Sequence, residues 1–247
     1  MAAEATYDDR LCRLEATRMT KEMGELIFDA IYLAVIWTIV FRMYGRLRTL
    51  SEDRLPLAQT LALAFALLGL GDTAHVGFRI VAHLTGGIEA NPQLLGIGKL
   101  ATAVTVTIFY VLLVKAWKLR YNKHYGVLAY LLFISAAVRL IVMLLPGNEW
   151  AREVAPFAFS MYRNIPLLIQ GIGVAYLVLS ESVRSKDSAF TWIGLMILVS
   201  YAFYTPVILY ARTVPTLGLL MIPKTIAYMV AAFVAYRSVF KDSQAVG

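Results

Sequence analysis

Apolar residues along this chain come in long unbroken runs, not in alternation. Seven runs stand out, over residues 25–44, 56–82, 95–117, 126–145, 156–180, 189–210 and 216–238. Each is long enough to cross about 30 Å of hydrocarbon as a helix rising about 1.5 Å per residue. Strands would alternate apolar and polar positions with a period of two, and these runs do not. Turn formers punctuate several of the gaps: Thr85, Gly86 and Gly87 with Asn91 and Pro92, then Pro146, Gly147 and Asn148, then Thr213, Val214 and Pro215. The pattern predicts an all-α fold, a polytopic bundle of seven transmembrane helices over residues 25–240. A charged head, residues 1–24, precedes it and a short tail, 241–247, follows. In the head, Leu11, Leu14, Arg18 and Lys21 keep a helical period, which predicts a short helix lying at the membrane interface. Pro166, Pro206 and Pro223 fall inside the last three runs and are expected to kink those helices. Gly69, Gly71 and Gly77 are expected to let another helix approach the second span.

Composition agrees with this reading. The chain of 247 residues is 60% hydrophobic and 16% charged, more apolar surface than a soluble domain of that length can hide. The lone Cys12 excludes an intramolecular disulfide and a cysteine-rich metal site. The net charge of +7 does not call for nucleic acid, because much of the excess sits in short loops. Loop one carries Arg42, Arg46, Arg48 and Arg54, and loop three Lys115, Lys118, Arg120 and Lys123. Loop five adds Arg184 and Lys186, and the C-terminal segment Arg237 and Lys241. Loops two, four and six offer Arg152 and Arg212 between them. The positive-inside rule then predicts a cytoplasmic C-terminus and an outside N-terminus, in a cell membrane. Against it, the head holds Arg10, Arg13, Arg18 and Lys21, offset by five acids.

The candidate chemistry lies inside the spans. Arg79, Lys99, Arg139, Arg163 and Lys224 interrupt apolar runs, where an Arg or Lys costs roughly 3 kcal/mol at a helix centre on insertion scales. Counted along their helices, all five fall near one depth, in the half predicted to be outer. Span two contributes Asp72, His75 and Arg79 at i, i+3 and i+7, on one face. Span five brings Tyr162, Arg163 and Asn164, span six Tyr201 and Tyr204, and span seven Lys224 with Tyr228 one turn deeper. Asp29 and Asp72 are the acids of the same layer. The excess of cations asks for an anion, and guanidinium forks suit phosphate or carboxylate. The expected partners are therefore membrane lipids and an anionic ligand, a lipid headgroup or a small phosphate or carboxylate.

Plainer roles are available to each residue. Asp72 could pair with Arg79 or Arg139 to fix helix packing, and Lys99 is expected to snorkel to headgroups. Tyr201 and Tyr204 fit packing, while Tyr7, Trp150 and Tyr210 read as interface aromatics. His75, His83 and His124 do not converge, so no metal site and no cofactor is expected.

Three passages resemble an uncharacterised family of bacterial multi-pass membrane proteins: Gly71-Asp72-Thr73-Ala74-His75, Tyr162-Arg163-Asn164-Ile165-Pro166 and Met221-Ile222-Pro223-Lys224-Thr225. That resemblance implies a bacterial source and transfers no activity. Seven spans, an outside N-terminus and a lysine in the last span also resemble the topology of rhodopsins. This implies retinal bound to Lys224 as a Schiff base, with Asp72 as its counter-ion. Span three lacks the acid of that family and offers Thr102, Thr105, Thr107 and Tyr110. The seven-span zinc hydrolases that include alkaline ceramidases need a late His-x-x-x-His pair, and span seven has no histidine.

Three functional classes remain open from sequence. One is a binding protein for the anion. Another is an enzyme acting on that ligand, with His75 as acid–base oriented by Asp72 or a tyrosine and arginines holding the substrate. The third is a transporter of a small anionic solute, for which the inner half offers little polarity beyond Gln59 and Thr60. A retinal photoreceptor through Lys224 is a further alternative.

Overall fold

The computed structural model describes Gly24 and residues 27–87, 90–152 and 155–241. The predicted interfacial helix of the head and the tail beyond residue 241 lie outside the described residues. Seven helices are long and apolar enough to span a membrane, and no strand occurs among the described residues. They are α1 (Ile27–Thr49), α2 (Leu55–Leu84), α3 (Pro92–Tyr121), α4 (Val127–Leu144), α5 (Phe157–Arg184), α6 (Ser188–Tyr210) and α7 (Met221–Ala235). A 3₁₀ turn, Pro215–Leu220, leads into α7, and a π turn, Tyr236–Phe240, follows it. The seven predicted runs fall on these helices with end shifts of a few residues.

Local chemistry sets several of the ends. Proline opens α2 and α3 within their first two positions, where no intrahelical donor is required. Asn122 closes α3 in the left-handed region at φ 48°. The Asp187 carboxylate caps α6 by accepting from the Phe190 N–H at 3.3 Å. The same carboxylate accepts from Arg120 Nε at 2.8 Å, which ties the α5–α6 turn to the end of α3. Lys123 and Glu181 pair nearby at 3.1 Å.

Two glycines decide how closely the helices pack. At Gly71 a Cβ would stand 2.0 Å from the Thr105 hydroxyl, so α2 and α3 meet there. Thr102 seals the contact by donating to the Gly71 carbonyl at 2.8 Å. At Gly171 a Cβ would fall 1.8 Å from the Tyr201 ring, so α5 makes room for that side chain of α6. The close approach expected at Gly77 is not found. Nothing lies within 4 Å of its Cβ position, because it faces away from α3.

The prolines also divide. Pro166 and Pro206 lie inside α5 and α6. Pro223 does not interrupt a helix. It is the third residue of α7, where the N–H it lacks would have no intrahelical partner.

The core fills the half of the bundle that holds the basic loops. Phe65, Phe109, Tyr110 and Tyr228 interlock edge to face, with centroids 5.2–5.8 Å apart. The Tyr110 and Tyr228 hydroxyls meet at 2.5 Å.

Candidate functional site

At the opposite end, where α1, α3, α5 and α7 begin and α2, α4 and α6 finish, the bundle is hollowed by a partly open cavity of about 450 Å³. Such a volume lies within the roughly 300–1,000 Å³ typical of small-molecule sites. Arg79, Lys99, Arg139, Arg163 and Lys224 all line it, so the single layer expected from residue counting exists in three dimensions. Asp29, Asp72 and His75 line the same space.

Arg139 is 2% exposed. Its Nη1 donates to the Thr107 hydroxyl at 2.6 Å and its Nε to the Arg163 carbonyl at 2.8 Å. The Arg163 carbonyl stands three residues before Pro166, inside α5. Ser135 adds a second tie between α4 and α5 by donating to the Pro166 carbonyl at 3.0 Å. The remaining guanidinium donors of Arg139 are left to the cavity, and it makes no ion pair among the described residues.

Arg163 is held from the loop between α4 and α5. Its guanidinium lies over the Trp150 ring, 4.5 Å from the centroid, and its Nη1 donates to Asn148 Oδ1 at 3.3 Å. Asn148 is fully buried and donates to the Val142 and Leu145 carbonyls at 2.5 and 2.9 Å. A loop that reads as polar punctuation therefore folds inward as the support of a cavity arginine.

Lys224 projects from the first turn of α7. Its Nζ lies 4.4 Å from the Tyr204 centroid and 5.9 Å from that of Tyr228. Tyr204 reaches Asn164 Oδ1 at 3.4 Å, and Tyr201 donates to the Leu167 carbonyl at 2.9 Å. Both tyrosines and Asn164 line the cavity.

Asp72 accepts from the Tyr32 hydroxyl at 2.5 Å. Tyr32 is thus its hydrogen-bond partner, one that the sequence did not single out. Among the described residues Asp72 forms no ion pair with Arg79 or Arg139, and no hydrogen bond joins it to His75. The His75 ring stands in the cavity wall with no hydrogen-bond partner among the described residues.

Tyr162 is the clearest departure. It is 54% exposed and packs on Phe159 at 5.6 Å, outside the cavity lining, because a helical neighbour of Arg163 points about 100° away from it. Lys99, expected to snorkel to headgroups, is among the residues that line the cavity. Sequence reasoning missed the roles of Tyr32, Asn148 and Trp150. Trp150 carried a signal, an aromatic beside a buried arginine's helix, while Tyr32 looks like any core residue of an apolar run.

No group of three or more His, Cys, Asp or Glu gathers as metal ligands among the described residues. No protein-family model, curated protein or solved structure matches the chain. The resemblance to bacterial multi-pass proteins thus adds nothing to the seven helices themselves.

Proposed function

We propose that this is a binding protein for an anionic ligand, a lipid headgroup or small phosphate or carboxylate, held in the cavity by Arg139, Arg163 and Lys224. The observation that carries the reading is that these three cations line one space and none makes an ion pair among the described residues. Charge in hydrocarbon is costly unless something answers it. Two guanidinium groups and an ammonium answer best to oxyanions. On this reading the chain is a multi-pass protein of a bacterial cell membrane, N-terminus outside, with the cavity in the outer half. The basic loops supply that orientation.

Binding is favoured over catalysis because His75 lacks the orienting bond to Asp72 that acid–base work would use. It is favoured over transport because the cavity floor is closed. One turn below it stand Phe65, Phe109 and Tyr110, each at most 1% exposed. Gln59 is exposed, and the Thr60 hydroxyl is spent on the Pro56 carbonyl at 2.8 Å. A retinal at Lys224 would need an apolar slot, and this lysine shares its space with Arg79, Arg139 and Arg163.

Native mass spectrometry in mild detergent tests the reading, with wild type beside the Arg163→Gln/Lys224→Met variant. The expected result is an anionic mass carried by wild type and absent from the folded variant. A wild type that carries no anion and takes up none on titration with inorganic phosphate or glycerol 3-phosphate would overturn it.

A further inference from the structure

Resting on that reading, we propose that the occupant is a membrane lipid ending in a phosphate monoester. It enters sideways through the wall that precedes α7, not from water. Leu219 and Met221 line the cavity and are 43% and 36% exposed. The wall is built from the 3₁₀ turn Pro215–Leu220, which holds no buried residue. Its hydrogen bonding is poorer than that of an α-helix, so it opens at lower cost. Gly218 in its middle lines the cavity without a side chain, and nothing lies within 4 Å of its Cβ position. On this proposal the wall faces acyl chains. A water-soluble anion gains nothing from it, whereas a lipid can pass its head inward and leave its chains outside.

Charge selects the head. Arg139, Arg163 and Lys224 present three cations with no carboxylate in ion-pair contact among the described residues, and Asp72 in the same cavity answers Lys224 only through space. A phosphodiester lipid brings one negative charge. A phosphate monoester brings about 1.5–2 near neutral pH and three acceptor oxygens. One oxygen each for Arg139, Arg163 and Lys224 matches that donor set, and the cavity has room for the glycerol end of the lipid behind it.

The test is titration of the full chain in mild detergent, read by native mass spectrometry. The probes are didecanoyl phosphatidic acid, didecanoyl phosphatidylglycerol and glycerol 3-phosphate. The phosphatidic acid should bind about tenfold or more tightly than either other probe. Lys224→Met should weaken it about tenfold while the unfolding temperature holds. Leu219→Ser/Met221→Ser should weaken the lipid and leave glycerol 3-phosphate unchanged. Equal binding of the two lipids would overturn the monoester assignment. Glycerol 3-phosphate binding as tightly as the lipid would overturn entry from the membrane and leave the anion site standing. Binding of none of the three would remove the anion site as well.

Discussion

Arg139 divides its guanidinium donors between the fold and the cavity. Nη1 and Nε hold Thr107 and the Arg163 carbonyl, joining α4 to α3 and α5. Replacing it by methionine keeps much of the volume but leaves a buried hydroxyl and a buried carbonyl without that donor. Each such loss costs about 1–3 kcal/mol. Lys224 has no such duty, since its neighbours are the faces of Tyr204 and Tyr228. A cation–π contact of this kind contributes roughly 0.5–2 kcal/mol, and an apolar replacement of similar length still packs on the rings. Arg139→Met should therefore lower both the unfolding temperature and anion binding, whereas Lys224→Met should lower binding alone. Circular dichroism melts beside the mass-spectrometric titration separate the two. If Arg139→Met melts with wild type, the hydrogen bonds assigned to it do not support the bundle. His75→Ala should leave binding within about twofold, because among the described residues the ring makes no hydrogen bond that positions an arginine.

Helix packing around the cavity turns on α5 and α6. Gly171 admits the Tyr201 ring, and the Tyr201 hydroxyl then reaches the Leu167 carbonyl one turn above. Gly171→Ala should push that ring out and cost about 1–3 kcal/mol, as overpacking in a filled core does. Tyr201→Leu in the same chain removes the ring that the new methyl meets. The double variant should then be more stable than Gly171→Ala alone, a sign of direct coupling. A double variant that is less stable would mean the clash is relieved by moving α6. The helices themselves were legible before any coordinates, because unbroken apolar runs of bilayer length leave few alternatives. Arg139, Arg163, Lys224 and Asp72 were legible for the converse reason, a charge being conspicuous in such a run. Tyr162 was misjudged because neighbours in sequence diverge around a helix. Asn148 and Trp150 were missed as cavity supports because a loop folding inward has no period to betray it. Pro215–Leu220 read as the start of a span, since a 3₁₀ turn and an α-helix share the same apolar composition.

Across the whole molecule the two ends of the bundle have opposite characters. One end carries its cations on the surface, in loops pinned by Arg120 with Asp187 and Lys123 with Glu181. The other end draws its cations inward around the cavity. Which end faces the cytoplasm decides which leaflet supplies the ligand, and the chain is suited to the question because Cys12 is its only cysteine. With the basic loops inside, a membrane-impermeant maleimide should label Cys12 on intact cells. In a Cys12→Ser background, Lys186→Cys on the α5–α6 turn should react only after the membrane is opened. The opposite pattern would turn the cavity toward the cytoplasm. The anion site would keep its geometry, but the wall at Leu219 and Met221 would then meet the inner leaflet, whose anionic lipids give it a negative surface potential.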